Sequence, residues 1–543
     1  MHSNVLRTDA RNPAPDVLSS MISGALSEPW APDQARALIE DNARLRERVQ
    51  ELTRQVEWFK KQIFGQKSER RVVLEDAHQL SLGSGLGVLP EGVPPAGSPV
   101  AAHTRRQAQK PTAGEDESGL FFDEARVPVE IITVANPEAK GLNADQYEVI
   151  GEKVSHRLAQ RPGSYVVLKY VRPVIKVKQS GRISSASAPG SVIEGSRADV
   201  SFVAGLLVDK FAYHLPLYRQ HQRLGASGIE VSRQWLTQLV HAAGGLLEPI
   251  HEAQLDSIRD SRVKAMDETP IKAGRAGPGK MKAAYFWPVY GERDELSFLY
   301  FPSREGKHVK QALGSSPPPG AVLLTDGYRA YEQYTQALGI THAQCWAHSR
   351  RYFIEAQDIE PERSGQALDM IEGLYAVEKH IREQQLTGQD KREYRIEHAK
   401  PIATRMFEWI RVQFDTQEFL PTSPFTKALA YVREREAGLR VYLHDPEVAI
   451  DTNHLERALR PIPMGRRNWL FCWTEIGAKY VGIVQSLLAT CRLHQIDPYE
   501  YFIDVLQRVG QHPAAQVAQL TPRLWKQHFA HQPLKSDLQR IKI

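Results

Sequence analysis

Residues 34–65 carry a seven-residue hydrophobic repeat. Leu38, Leu45, Leu52 and Phe59 form one row, and Ala35, Asn42, Val49, Val56 and Ile63 form its companion. Two apolar rows at this spacing predict a coiled coil over 34–65. Asn42 falls on an a position, where a buried amide favours one register in a parallel dimer. A solitary amphipathic helix packed on its own chain is the alternative. The strictness of the repeat favours self-association through Leu38, Asn42, Leu45, Val49, Leu52, Val56 and Phe59. Residues 1–33 have no such order and are expected to be disordered. Residues 66–118, rich in Gly, Pro, Ser and Ala, read as a flexible linker.

The pattern then changes period. Over 119–198, runs such as "VPVEIITV" and "GSYVVLKYVRPVIKV" predict a small β-rich module. Residues 199–260 turn helical, and Ser232 is placed to cap "RQWLTQLVHAA". Helix, Gly-containing turn and helix suggest a helix-turn-helix, although an ordinary helical hairpin fits equally. From 261 to 510 the pattern is mixed α/β, with strand candidates "RVKAMD", "KAAYFWPVYG", "ELSFLYFP" and "GAVLLTD". A helical stretch at about 360–448 interrupts it, and 511–543 reads as a C-terminal tail.

Composition narrows this only slightly. The 543 residues are too many for one core, and 42% hydrophobic with 24% charged residues is a globular balance. The net charge of +5 does not by itself imply a nucleic-acid partner. Three scattered cysteines, Cys345, Cys472 and Cys491, argue against a disulfide scaffold and for a reducing compartment. No apolar run approaches bilayer length, so a cytoplasmic protein without a membrane partner is expected.

Candidate chemistry lies where strands end on acids. Asp267 closes "KAMD" and Asp326 closes "LLTD". Carboxylates leaving neighbouring strand ends can meet, and they repel unless a cation lies between them. The fitting ion is Mg²⁺ or Mn²⁺, and a pair of such ions suits in-line phosphoryl transfer. Glu456, in "DTNHLERALRPIPMGRRNWLF", offers a third carboxylate from a helix. Arg457, Arg460, Arg466 and Arg467 crowd the same stretch and suit DNA phosphates. Trp469, Phe471 and Trp473 suit either the core, the expectation for at least two of them, or stacking on an unpaired base.

The blocks "MDETP", "LLTDGYRAY", "CWAHSRRYF" and "NHLERALRPIPMGRRNWLF" resemble those of the IS-sixty-six family of insertion-sequence transposases, in the family's order and over most of the chain. The resemblance implies an α/β fold: an RNase-H-like catalytic domain with a large all-α insertion, preceded by the coiled coil, the small β-rich module and the helical region. It implies an Asp-Asp-Glu triad, here Asp267, Asp326 and Glu456, holding two Mg²⁺ or Mn²⁺ ions. The intervals are 326 − 267 = 59 and 456 − 326 = 130 residues, and the second is long enough to contain the insertion. The implied activity is binding of terminal inverted repeats followed by strand cleavage and transfer. The implied partners are transposon-end and target DNA and small accessory proteins of the same element, with a nucleoid-associated location. A nuclease of the same fold that does not join strands, and a non-catalytic DNA-binding repressor, remain open.

The chain departs from the family where many members carry paired cysteines. Residues 119–200 contain none, so no zinc is predicted there, and His156 alone cannot replace a four-ligand site. His342, Cys345 and His348 are read as structural, with His348, Arg350 and Arg351 beside the active site or the DNA backbone. Strand alternation places Glu268 away from Asp267, in a secondary role. Glu332 ranks behind Glu456 as third carboxylate.

Overall fold

Two short strands buried at every position organise the molecule: β5 (Val263–Met266) and β9 (Val322–Thr325). Strands covered on both faces read as near-continuous apolar runs, and the one charged side chain here, Lys264, is buried and donates to the Arg259 carbonyl at 3.0 Å. They pair in parallel, with Val263 opposite Val322 and Ala265 opposite Leu324. The structure is a computed structural model that describes residues 41–42, 44–46, 49, 120–140, 142–161, 163–416, 420–469 and 472–541.

Around this pair a mixed sheet is built. β10 (Thr341–Gln344) lies parallel to β9 on its far side. β6 (Thr269–Gly277) continues the line of β5 after a break at Asp267 and Glu268. Both pair antiparallel with the same long strand, β7 (Lys280–Gly291). β8 (Glu295–Phe301) pairs with the opposite side of β7. Across the sheet the order is therefore β8, β7, the β5–β6 line, β9, β10, with three antiparallel strands followed by two parallel ones.

The outer edge of β8 is closed by a helix rather than a strand. Ser486 Oγ accepts from Phe298 N at 2.8 Å and Thr490 Oγ1 accepts from Leu296 N at 3.2 Å, both from helix Glu475–Leu493. This satisfies an edge that would otherwise template aggregation. Gly482 of that helix makes the approach possible, because a Cβ there would sit 2.5 Å from the Phe298 carbonyl oxygen.

Helix Arg233–Arg259 also packs along β8. Ser232 caps it, accepting from Trp235 N at 3.1 Å. Leu236, Leu239, Leu247, Ile250 and Ile258 are all buried, so this 27-residue helix contributes one whole face to the core. Its opposite face stays exposed, at Arg233, Gln234, Thr237 and Gln238 near its start and at Glu252 and Asp256 further on. Another core lies where Met266, Trp287 and Leu323 meet Val309 and Tyr331 of helices Lys307–Leu313 and Arg329–Leu338.

The region of 119–198 is a separate sheet of the same compact unit. β2 (Tyr147–Arg161) and β3 (Ser164–Val177) form a long hairpin, flanked by β1 (Val129–Thr133) parallel to β3 and by β4 (Ile183–Ser185). His156 lies in β2 with its ring 5.5 Å from that of Phe122.

Residues 367–416 and 429–448 are helical apart from short turns, and an ion pair without solvent access holds them together. The Arg395 guanidinium meets both oxygens of Glu378 at 2.7 and 2.8 Å and donates to the carbonyls of Tyr442, Asp445 and Val448. Arg395 begins a π-helical turn, Arg395–Ala399, which turns it inward. The stretch 511–543, expected as a tail, is instead folded as far as it is described. Trp525 is buried and donates to Asp504 at 2.9 Å, and Leu538 packs with Ala159 and Leu168. Its larger apolar residues, among them Leu520, Trp525 and Leu538, are divided among elements too short for a periodicity reading.

All of this belongs to one compact unit, comprising Ala101–Arg351, Ala367–Glu418 and Leu429–Ile543 so far as they are described. A second unit comprises Met1–Val100, Tyr352–Gln366 and Phe419–Ala428 on the same terms. Within it Phe353 meets Phe425 at a centroid distance of 6.2 Å. Of the zipper positions, Asn42, Leu45 and Val49 are helical and exposed. Leu38, Leu52, Val56 and Phe59 lie outside the described residues.

Candidate active site

The break between β5 and β6 places Asp267 at the C-terminal end of the first central strand, with its N–H 3.4 Å from the Pro288 carbonyl. Asp326 follows β9 directly. Its Oδ1 accepts from Tyr328 N at 2.9 Å, a local turn that fixes the carboxylate. Glu456 comes from helix Asn453–Leu459. The loop before that helix is fixed by Cys345, whose buried Sγ accepts from both the N–H and the hydroxyl of Thr452 at 3.3 Å. Trp346 N donates to Ile450 O at 3.1 Å, and Tyr375 donates to Asp451 at 2.8 Å. The strand end after β10 is thereby bound to the helix carrying Glu456.

These elements bring Asp267, Asp326 and Glu456 onto the wall of one cavity of about 540 Å³. Glu268 lines it too, against the expectation that it points away. Alternation does not apply because the strand is interrupted at this residue. The Glu268 side chain is only 4% exposed. It accepts from Arg304 Nε at 2.6 Å and from the Tyr331 hydroxyl at 2.5 Å. Arg304 also lies over the Tyr328 ring at 4.3 Å.

The charges in the cavity oppose one another. Burial, reinforced by Glu268, Asp326 and Glu456, pushes the Asp267 carboxyl up to about 7. Burial also raises Glu268, against the pull of Tyr331 and Arg304. Glu456 Oε1 is buried without a hydrogen-bond partner, 3.9 Å from His348 Nε2 and 4.0 Å from Arg351 Nη2. His348 is held below its ordinary range by burial, although Asp326 and Glu456 act the other way. Among the described residues no three His, Cys, Asp or Glu side chains converge closely enough to chelate an ion unaided.

Of the arginines predicted to meet phosphate, Arg351, Arg457 and Arg460 line the cavity, whereas Arg350, Arg466 and Arg467 do not. Arg466 donates to the Pro270 carbonyl in β6, which fixes its helix to the sheet. Sequence reasoning missed Arg304, whose position depends on the sheet order. Tyr331 was more accessible, since Tyr328 and Tyr331 recur at helical spacing just after Asp326. His342 and Cys345 are structural in their contacts: His342 Nε2 lies 2.8 Å from Thr325 Oγ1, and burial lowers His342 to about 4. Glu332 lines a different cavity, beside His342 and Arg435. Trp469 is half-buried and Trp473 is 60% exposed, so neither is core; Phe471 lies outside the described residues.

A mixed α/β sheet whose parallel strands end on acids, facing arginines, defines an enzyme-like class of site. Comparison with known proteins gives the family. The profile described as Transposase IS66 family matches residues 195–480, the IS66 C-terminal element matches 486–523, and Transposase C of IS166 homeodomain matches 51–120. The chain therefore belongs to the IS66 transposase family. Three relatives from Sinorhizobium fredii (strain NBRC 101917 / NGR234) are similar over nearly their whole length. "Uncharacterized protein y4hP" is 28% identical, covering 88% of each chain. "Uncharacterized protein y4jD" is 26% identical over 90% of this chain and 97% of its own. "Uncharacterized protein y4qI" is 27% identical over 93% and 96%. The homeodomain match overlaps the stretch expected to be linker. No helix among the described residues is long and apolar enough to cross a membrane.

Proposed function

We propose that this protein is a DNA transposase that binds the terminal inverted repeats of its own insertion sequence and performs metal-dependent strand cleavage and transfer. The observation that carries this reading is the shared cavity of Asp267, Asp326 and Glu456, ringed by Arg304, Arg351, Arg457 and Arg460. Support for an RNase-H-like catalytic domain comes from the strand order, with three antiparallel strands beside two parallel ones and the acids at the ends of the central parallel pair.

The residues fit a divalent ion. Asp267 is raised by burial and further by three neighbouring carboxylates, and Glu456 keeps a buried oxygen without a hydrogen-bond partner, two signs that a cation would be favoured there. Mg²⁺ is usually held by one or two carboxylates with waters and substrate phosphate, so a complete protein cage is not required. Asp267, Asp326 and Glu456 would hold two such ions, Mg²⁺ or Mn²⁺, which supply Lewis acidity toward the attacking water or 3′ hydroxyl and the leaving oxygen. The chain's own part is positioning. Arg351, Arg457 and Arg460 bind the flanking phosphates, and the Glu268–Arg304–Tyr331 cluster fixes the strand break that carries Asp267. Self-association through the 34–65 repeat would bring two ends together, and the 51–120 region would add DNA contacts.

The test is divalent-metal-dependent cleavage of a duplex carrying the element's own end, with wild type beside Asp326→Asn and with the element's accessory proteins present. Cleavage by wild type alone is expected, followed by joining of the freed 3′ end to a second duplex. Equal cleavage by both proteins would remove the triad assignment, and cleavage without joining would make the protein a nuclease.

A further inference from the structure

A second cavity, of about 590 Å³, lies where the helical segment 210–241 meets residues 468–481 of the same compact unit. Its volume falls in the range of small-ligand sites. We propose that it receives an unstacked nucleobase, together with its phosphate, from the DNA strand held at the catalytic carboxylates. This rests on the transposase reading above.

The lining has the chemistry of a nucleotide site. Tyr218, Trp469 and Trp473 supply aromatic surface, and Lys210, Arg219 and His241 supply positive or donor groups. Among the described residues no Asp or Glu lines the cavity. Tyr218 and Trp473 are 55% and 60% exposed, unusual for rings that could have been buried. Each is paired with a cation: the Arg233 guanidinium lies 5.7 Å from the Tyr218 ring centroid and that of Arg275 lies 4.7 Å from Trp473. Flat aromatic platforms beside fixed cations match a base and its phosphate, because every base has a stackable face. Burial holds Lys210 below its ordinary range, and its ammonium lies 5.0 Å from the Phe211 ring centroid. An incoming phosphate would supply the missing charge.

The aromatic segment is also tied to the catalytic sheet. Cys472 N donates to Lys272 O at 2.9 Å and Gly274 N donates to Cys472 O at 3.1 Å, so this residue pairs with β6, the strand that begins two residues after Asp267. Trp469 ends helix Pro461–Trp469 with its indole against Gly465, where a Cβ would meet Nε1 at 2.5 Å. From Glu456 to Trp469 is 469 − 456 = 13 residues, almost all helical, which spans at most about 20 Å. At 3.4 Å per nucleotide along a strand, the captured base lies within about six nucleotides of the scissile phosphate.

The experiment places 2-aminopurine, one position at a time, at the first six nucleotides on either side of the cleavage point in an end duplex. Fluorescence and binding anisotropy are read for wild type, Trp473→Ala and Trp473→Phe. The expected result is a several-fold rise with wild type at a position next to the captured base, where the probe loses its stacking neighbour, lost in Trp473→Ala and retained in Trp473→Phe. Circular dichroism should show all three proteins equally folded, since Trp473 is largely exposed. Binding of the duplex without a rise at any position overturns this inference and leaves the transposase reading standing. A rise that Trp473→Ala preserves places the base elsewhere and also overturns it. Failure to bind end DNA at all, judged against a scrambled duplex, removes both.

Discussion

Asp267 and Asp326 stand at the same level of adjacent parallel strands, each two residues beyond a directly paired couple, Ala265 and Leu324. This register places two acids side by side at one end of the sheet. Their separation of 59 residues in sequence is bridged by an antiparallel excursion through β6, β7 and β8 and by helix Lys307–Leu313. The acids are brought together by backbone hydrogen bonding that both strands need in any case.

Without a divalent ion, ionising Asp267 destabilises the fold. Its carboxyl titrates at about 7 when folded, against an ordinary value of 3.8. Between these values the folded state holds a proton that the unfolded chain releases, so the contribution is fully present below pH 4 and is lost as pH rises through 7. The upper bound is about 4 kcal/mol. In EDTA, Asp267→Asn should therefore melt higher than wild type at pH 8 and lose this advantage near pH 4. Adding Mg²⁺ at pH 8 should raise the melting temperature of wild type but not of Asp326→Asn. Differential scanning fluorimetry across pH checks both, and equal Mg²⁺ responses in the two proteins would count against the site.

Glu268 is the largest like charge acting on Asp267 after burial itself. Glu268→Gln keeps an acceptor for Tyr331 but removes the charge. The pH midpoint for Mg²⁺ stabilisation should move toward acid, and end cleavage should fall because Arg304 loses its ion-pair partner. A cleavage profile against pH, run with wild type, measures both effects, and an unmoved midpoint would return Glu268 to a purely structural role.

In the helical stretch after residue 366, removal of one partner from the Glu378–Arg395 pair leaves a charge with no access to water. Glu378→Ala should cost about 3–5 kcal/mol. Double replacement with apolar residues of similar volume should recover much of this. Urea unfolding of the single and double variants gives the comparison, and additive losses would show that the pair is not coupled.

Gly482→Ala should destabilise by about 1–3 kcal/mol, since a methyl group cannot fit 2.5 Å from the Phe298 carbonyl. The helix must move out, and the Ser486 and Thr490 hydroxyls then lose the edge N–H groups of β8. Ser486→Ala should add less when combined with Gly482→Ala than it costs alone. Thermal melts of the three variants read this directly.

The sequence by itself determined most of the local elements and the family. The mainly apolar runs "VKAM" and "VLLT", polar only at Lys264 and Thr325, mark strands covered on both faces, and each is followed by an acid. The motif blocks carried the family, and Glu456 was legible from its block and from the arginines beside it. Tertiary structure decided what those acids face. Strand alternation failed at Glu268 because the β5–β6 line breaks there, a consequence of both pieces sharing β7 that no local pattern encodes. Arg304 reaches the cavity only through the position of β8, the long helix Arg233–Arg259 became core because β8 needed cover, and the last residues fold back because Trp525 finds Asp504. Periodicity records which face of an element is apolar; which neighbour covers that face depends on contacts between residues tens or hundreds of positions apart.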